Sequence, residues 1–324
     1  MVRSASIGSK GACGVSKSKR IALCQVDGKW PNLALMKLST WHKQQGDTVE
    51  IVTPKSSPLE RCGVITNSDK VYASKTFAFT PNWRYLPQSA ICGGTGYDLT
   101  TELPTGAEAC GPDYSLYPQW PAAIGFTTRG CVRSCPFCVV PRKEGRIRVV
   151  GDLYDFWDGQ REVILLDNNL TAAPIEHFRL ITEQLTKERV RVDFSQGLDL
   201  RLLTDEHAQL LAGVKLLRHQ VRFAWDSVSD EAAIRCGLAA FLKHNSLNRT
   251  TQKATVYVLI GYNSTPEEDI YRVKVLRGLD VDPFVMAYNK RDLYQRRFAR
   301  WVNHRAIFRT VEWAQYGKAG DSHA

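Results

Sequence analysis

The sequence predicts an α/β protein in which a small doubly wound parallel sheet precedes a larger unit of six strand–helix pairs. Three observations predict this class. The length of 324 residues is about twice that of one ordinary domain, apolar strand-like segments recur about every 30 residues in the second half, and helices with polar start signals separate them. Alternating strands and helices favour parallel strands joined by right-handed crossovers. Six pairs give an open sheet or a partial (βα)6 barrel, because a full barrel needs eight.

The first domain is expected over residues 20–100. A helix after the first strand places Ala34, Leu38 and Trp41 on one face and ends near Gly46, so the chain begins with a strand–helix–strand unit. The first turn lacks the G-x-G-x-x-G that holds a dinucleotide pyrophosphate, which disfavours nucleotide binding there. The predicted strands of this domain are 21–24, 48–52, 70–73 and 90–92.

Two segments outside the predicted sheets have distinctive compositions. Residues 1–19 are rich in Ser, Gly and Lys with almost nothing to bury, which predicts a disordered tail. Residues 101–121 carry four prolines and several aromatic side chains, so we expect an ordered connecting segment between the domains.

The second domain is expected over 122–290. Thr204, Ser229 and Thr265 each precede acidic residues, a pattern typical of capped helix starts. Gly213 and Gly278 are suitable helix ends. The predicted strands are 123–128, 162–166, 190–194, 221–225, 255–260 and 283–287.

The remaining 291–324 region is predicted to be a basic helical extension. Tyr294, Phe298 and Trp301 repeat at helical spacing, which favours an aromatic face packed on the barrel. The whole chain has 43 Lys and Arg against 33 Asp and Glu, a net charge of +10 that favours an anionic partner. The basic C-terminal region is therefore the candidate surface for nucleic acid, with arginines on phosphates.

Composition also predicts a compartment. Nine cysteines in a chain of this length are too sparse for a disulfide scaffold, and the N-terminus lacks the apolar stretch of a secretory signal. No apolar run approaches the ~20 residues of a membrane span. We therefore expect a cytoplasmic protein without a membrane partner.

Three cysteines form the strongest chemical signal. Cys131, Cys135 and Cys138 have the spacing C-x3-C-x2-C and follow the first strand of the second domain. A short loop lets three thiolates converge on one metal centre. A structural zinc site would need a fourth ligand, for which Cys110 and His177 are distant candidates. A redox dithiol of Cys135 and Cys138 would leave Cys131 without a role.

This motif, C-x3-C-x-aromatic-C with Phe137 as the aromatic residue, resembles that of the radical S-adenosylmethionine (radical SAM) enzymes, and the resemblance covers about 124–290. It implies that Cys131, Cys135 and Cys138 bind a 4Fe–4S cluster whose open iron is chelated by S-adenosylmethionine. One electron from a flavodoxin- or ferredoxin-like reductant would then generate a 5′-deoxyadenosyl radical that abstracts hydrogen from a substrate.

The resemblance also suggests residues that bind S-adenosylmethionine, because ligands of parallel α/β sheets lie at the carboxyl ends of the strands. Asp167, Asn168 and Asn169 take the place of the G-G-E motif that holds the methionine amino group in many members. Ribose and carboxylate contacts are expected after the third and fourth strands, and a close approach of adenine at the fifth. The expected cofactor-binding residues are Phe137, Asp167, Asn168, Gln196, Arg201, Asp226, Ser227 and Gly261.

Two variations of the family concern the first domain, whose Rossmann-like sheet resembles that of cobalamin-dependent members and methylthiotransferases. The cobalamin signature D-x-H-x-x-G is absent. A second cluster would require Cys24, Cys62 and Cys92, although free cysteines are more often small buried side chains. Methyl or methylthio transfer, and a non-enzymatic metal-binding nucleic-acid module, stay open as alternatives. The substrate is not identified by the sequence.

Overall fold

The structure is a computed structural model that describes residues 18–245 and 253–319. The chain forms two compact units, one ending at Tyr117 and the other beginning at Pro118. This division falls inside the predicted connecting segment. The predicted tail lies outside the described residues except for 18–19.

The first unit is a parallel four-stranded sheet, which confirms the α/β class predicted for it. The strands follow the spatial order β2-β1-β3-β4, and each neighbouring pair is parallel. Its strands are β1 (Arg20–Gln25), β2 (Thr48–Val52), β3 (Lys70–Ser74) and β4 (Ile91–Gly93). Its helices are α1 (Leu33–Gln44), α2 (Pro58–Thr66) and α3 (Thr105–Glu108).

Alternate residues of β1 pack into the apolar clusters on the two faces of this sheet. Ala22 and Cys24 pack in one apolar cluster, whereas Ile21 and Leu23 pack with Leu35 of α1 in the other. A parallel sheet covered on both faces needs such a continuous apolar strand. Part of the predicted connecting segment belongs to this unit, since Ala107 of α3 is a buried member of the second cluster.

The second unit contains seven parallel strands, which follow one another in the order of the sequence at the six predicted positions, the fourth being split in two. One sheet has the order β10-β9-β8-β5, another has β11-β12-β13, and a parallel bridge between Leu198 and Phe223 connects β9's continuation to β11. The strands are β5 (Ala122–Gly125), β6 (Thr128–Arg129), β7 (Arg148–Val149), β8 (Glu162–Leu165), β9 (Arg191–Phe194), β10 (Lys215–Leu216), β11 (Gln220–Ala224), β12 (Lys253–Ile260) and β13 (Asp282–Ala287). The helices are α4 (Val140–Lys143), α5 (Ile175–Lys187), α6 (Asp205–Ala212), α7 (Glu231–His244), α8 (Pro266–Gly278), α9 (Leu293–Asn303), α10 (Arg305–Thr310) and α11 (Trp313–Ala319).

Two predicted strands are interrupted. The first ends at Gly125, and the chain then forms a short antiparallel ribbon of β6 and β7 that carries the cysteine loop. The fourth begins earlier than predicted: β10 pairs with β9, and positive φ angles at Arg218 and His219 separate it from β11. A residue with a positive φ interrupts a strand, because strand residues have negative φ angles. Residues with a Cβ rarely adopt a positive φ.

The C-terminal helices pack as the aromatic periodicity predicts. Phe298 and Trp301 of α9 are fully buried, and their rings contact each other and Trp313. Two arginines of the basic region are held by one acid, since Arg305 and Arg309 both form ion pairs with Asp282 at the start of β13. Residues 320–324 of the predicted extension lie outside the described residues. None of the helices in the described part of the chain is long and apolar enough to cross a membrane.

Candidate functional site

The candidate site lies at the carboxyl ends of the parallel strands of the second unit, where the cysteine loop begins. Gly130 opens the loop with a φ of 84°, and a Cβ there would lie 2.6 Å from the carbonyl carbon of Arg146. The Gly130 amide donates to Asn168 Oδ1 at 2.9 Å, and the Cys131 amide donates to the carbonyl of Gly145 at 3.2 Å. The chain can turn at this position because only glycine tolerates a positive φ together with so close an approach of the backbone.

The three thiols of the loop share one electrostatic environment. Cys131, Cys135 and Cys138 are all partly buried, and the Cys138 amide donates to the Cys135 carbonyl at 2.9 Å. Burial raises the pKa of the Cys135 thiol, Arg201 opposes that rise, and Cys138, Asp226 and Cys131 add to it. The loop, Arg201 and Asp226 are therefore within electrostatic reach of one another.

The loop supplies three thiols within eight residues, 131–138, and this donor chemistry fits a thiolate-bound iron–sulfur group. In the part of the chain that the structure describes, no group of three or more His, Cys, Asp or Glu side chains is placed to hold a metal ion. The sulfurs would have to turn towards one point for such a group to bind.

Cys131 has side-chain contacts of its own beyond the loop. Asn169 Nδ2 lies 3.4 Å from Cys131 Sγ and 3.3 Å from Asp199 Oδ2. Arg133, within the loop, forms an ion pair of 3.5 Å with the same carboxylate. Asn169 was expected only as the third residue in the place of the G-G-E motif, and Asp199 and Arg133 were not predicted, because a charged pair in a turn looks ordinary in a sequence.

Arg201 is held beside the loop by two acids. Its Nε donates to Asp199 Oδ1 at 2.7 Å, and its Nη1 donates to Asp230 Oδ2 at 2.9 Å. Burial opposes ionisation of Asp199, but hydrogen bonds and the charge of Arg201 hold the pKa of Asp199 below its usual value. Arg201 thus stays charged and fixed within reach of the cysteines.

Asp226 follows β11 and has little internal support. Its carboxylate accepts one hydrogen bond, at 3.4 Å from the Leu259 amide. Burial raises the pKa of Asp226, although that amide, Arg201 and Arg272 oppose the rise. A carboxylate kept in this state is typical of a functional site, because its charge is not neutralised by the fold.

Asp167 lies nearby but serves the fold. It is 4% exposed, and its carboxylate accepts hydrogen bonds from the amides and hydroxyls of Thr127 and Thr128. All four donors reach Oδ1, whereas among the described contacts Oδ2 accepts only the longer bond of 3.3 Å from the Thr127 amide, so the ammonium contact stays a prediction. Its neighbour Asn168 instead supports the cysteine loop through Gly130.

Phe137, which is also a predicted site residue, packs against an aromatic side chain at this edge. The Phe137 ring meets the Tyr262 ring edge-to-face at 5.2 Å, and Tyr262 similarly contacts Tyr288. These rings come from loops that follow β5, β12 and β13. Phe137 and Tyr288 are 36% and 56% exposed, so the aromatic row is open on one side.

Three predicted residues have other placements. Gln196 is exposed, and its side-chain amide donates to Ser195 Oγ at 3.5 Å. Ser227 accepts from the Ser229 amide and starts a short 3-10 turn, so the prediction that Ser229 is the cap was wrong. The space beside Gly261 that was expected for adenine is taken by the side chain of Gln295.

The cysteines of the first unit have a different environment. Cys24 is fully buried, and burial together with Cys92 raises its pKa to about 12. Cys62 lies on α2, a separate element. A buried thiol with such a pKa behaves as a small apolar side chain.

Comparison with known proteins adds no name to this site. No protein-family model matches the chain, and no curated protein matches it by sequence.

Proposed function

We propose that the second unit is a partial (βα)6 barrel of the radical SAM type and that the chain is an iron–sulfur enzyme that cleaves S-adenosylmethionine. The observation that carries this proposal is the position of a C-x3-C-x2-C loop at the carboxyl ends of six sequential parallel strands, beside Arg201 and Asp226. In the same proposal, the first unit is Rossmann-like and the setting is the cytoplasm.

In this proposal the thiolates of Cys131, Cys135 and Cys138 hold a 4Fe–4S cluster. The bound cluster and S-adenosylmethionine supply reductive cleavage to a 5′-deoxyadenosyl radical, using one electron from a flavodoxin- or ferredoxin-like donor. The residues of the chain bind and orient S-adenosylmethionine. Arg201 offers a fixed cation to a carboxylate, Asp226 offers an acceptor with little internal competition, and Phe137 with Tyr262 offers an aromatic wall.

The proposal is tested on protein reconstituted without oxygen. Iron and sulfide are measured first, and dithionite with S-adenosylmethionine is then assayed for 5′-deoxyadenosine. We expect about four irons per chain and deoxyadenosine formation, both lost in Cys135→Ala. Cys236→Ala is the matched control, because Cys236 is an exposed thiol on α7 outside the loop.

Two results would contradict the proposal. Zinc in place of iron would favour a non-enzymatic metal-binding module, and an intact cluster that never cleaves the cofactor would exclude the radical chemistry. If cleavage occurs, a methyl or methylthio group found on the product would separate group transfer from hydrogen abstraction.

A nucleic-acid substrate is the second part of the proposal, and the net charge of +10 favours it. Part of the basic C-terminal region is engaged internally, since Arg305 and Arg309 both form ion pairs with Asp282. Binding to single-stranded RNA or DNA should weaken linearly with the logarithm of salt concentration if phosphate contacts dominate. Salt-independent or undetectable binding would remove nucleic acid from the proposal.

A further inference from the structure

We infer that Asn169 is a positioning residue that orients Cys131 and sets the electronic environment of its sulfur, and that Thr171 and Asp199 hold Asn169 in place. The part that concerns an iron–sulfur cluster rests on the function proposed above. The part that concerns the sulfur itself rests only on the contacts described below.

The amide of Asn169 is fully used. Its Nδ2 donates to Cys131 Sγ at 3.4 Å and to Asp199 Oδ2 at 3.3 Å, which accounts for both of its N–H groups. Its Oδ1 accepts from Thr171 Oγ1 at 2.9 Å. The orientation of the amide follows from these partners, because an ionised carboxylate accepts only and therefore requires the nitrogen on its side.

A small ring of hydrogen bonds closes behind this amide. The Asp199 backbone amide donates to Thr171 Oγ1 at 2.8 Å, so Thr171 joins the segments after β8 and β9. Asn169, Thr171 and Asp199 are only 5%, 3% and 7% exposed. A buried polar network of this kind is rigid, because each broken bond would leave an unsatisfied group away from water.

Arg201 anchors the ring from outside. Its Nε and Nη2 donate to the two oxygens of Asp199 at 2.7 and 3.0 Å. A bidentate guanidinium–carboxylate pair fixes the plane of the carboxylate. The direction of the Asn169 amide is therefore determined by a charged pair that itself does not touch the cysteine.

Cys131 is singled out among the three thiols. The hydrogen bonds to sulfur in the described part of the loop, from the Asn169 side chain and from the Arg133 amide at 3.4 Å, both reach Cys131. Donors to a cysteine sulfur hold it in one orientation and, when the sulfur binds a cluster, raise the reduction potential of that cluster. The three sulfurs are thus chemically unequal before anything binds to them.

The first test uses metal-free protein treated with iodoacetamide at one fixed pH, with the modification rate of each cysteine followed by mass spectrometry. Asn169→Leu should change the alkylation rate at Cys131 by about twofold to tenfold, the equivalent of one hydrogen bond, because the sulfur is no longer held in place. Cys135 and Cys138 should keep their rates. Thr171→Val should change the rate at Cys131 less, because the donor remains but is no longer held.

Thr182→Val is the matched control for the threonine variant. Thr182 is as buried as Thr171, but its hydroxyl bonds to carbonyls of its own helix, α5, at 2.9 and 3.0 Å. It should leave all three rates unchanged. An unchanged rate at Cys131 in both network variants, or a uniform rise at all three cysteines that indicates local opening, would overturn the inference.

The second test measures the reduction potential of the reconstituted protein. Asn169→Leu should shift the potential to more negative values at unchanged iron content, and Thr171→Val should shift it less. If the parent protein assembles no cluster, the proposed function fails while the alkylation result still decides the role of Asn169. If the cluster forms but neither Cys131 reactivity nor potential changes, the positioning role fails and the proposed function stands.

Discussion

The two units of this chain differ in how they bond one of the acids that follow their parallel strands. In the first unit, Asp27 accepts the amides of Thr76 and Phe77 at 2.7 and 2.9 Å, and Lys75 donates to Asn82 Oδ1 at 2.6 Å. These side chains close the loops that follow the strands. The corresponding acid of the second unit, Asp226, accepts one bond of 3.4 Å.

The difference bears on ligand binding. Polar groups that are satisfied internally stabilise the fold and have little left to offer a ligand, whereas thiols and a carboxylate that are weakly bonded stay available to one. The second unit compensates with charges placed behind its edge. Arg272 is fully buried, pairs with Asp269 at 2.7 Å, and donates to the carbonyls of Trp225 and Leu259 at 3.0 Å.

The largest expected effect tests this compensation. Arg272→Met should destabilise the second unit by about 3–5 kcal/mol, because it leaves Asp269 buried without its partner. Arg235→Met is the control, since Arg235 forms an exposed pair with Glu231 within one helix, α7, and such pairs contribute about 0.3–0.5 kcal/mol. Urea denaturation measures both. Equal losses would show that the strand ends do not depend on the buried cation.

The next effect concerns the close packing in the first unit. Gly94 has a φ of 93°, and an added Cβ would lie 2.6 Å from the Lys75 carbonyl oxygen. Gly46 has a similar φ of 83°, but nothing lies within 4 Å of an added Cβ. Substitution there therefore measures the cost of the backbone conformation alone. Gly46→Ala should cost about 1–2 kcal/mol, and Gly94→Ala should cost about 1–3 kcal/mol more for the overlap.

Thermal unfolding of the two glycine variants measures this difference directly. Matching losses would mean that the Gly94 turn relaxes away from Lys75. The terminal loops of the first unit would then be less tightly closed than the comparison states.

A matched pair of Asp→Asn substitutions tests the comparison itself. Asp27→Asn should destabilise the protein by about 1–3 kcal/mol, because the carboxylate loses charge-assisted bonds to two amides. Asp226→Asn should leave stability unchanged or raise it at neutral pH, because it removes a buried charge with weak support. Chemical denaturation at pH 7 compares them, and a loss of similar size at both positions would contradict the proposed division.

The architecture was largely predictable because periodicity records burial. All six strands predicted in the second unit lie within a few residues of their predicted positions, as do all four predicted in the first. The helix containing Phe298 and Trp301 followed from the i, i+3 spacing of its apolar face. The α/β class with parallel sheets is confirmed.

The details of the site were less predictable, because hydrogen-bond partners are chosen in three dimensions. Asp167 and Asn169 both follow β8. The Asp167 carboxylate accepts hydrogen bonds from two threonines, whereas the Asn169 amide donates to Cys131. Nothing in the sequence separates them. Gly261 looked suited to a ligand, but the partner of its open face is Gln295, 34 positions along the chain.

The smallest expected effect is a difference between two carboxylates in how the free energy of unfolding changes with pH: the two changes have opposite signs. Hydrogen bonds from Thr101 and Thr100 lower the pKa of Asp98 to about 2, so its contribution is complete above the unfolded value of about 3.9 and is lost as pH falls towards 2. Burial raises the pKa of Asp226, so its ionisation destabilises the folded state as pH rises above the unfolded value. Asp98→Asn should therefore flatten the acid-side loss, whereas Asp226→Asn should flatten a loss on the rising side. Urea midpoints measured from pH 2.5 to 7 separate the two slopes, and slopes of one sign at both positions would show that the two sheet edges treat their carboxylates alike.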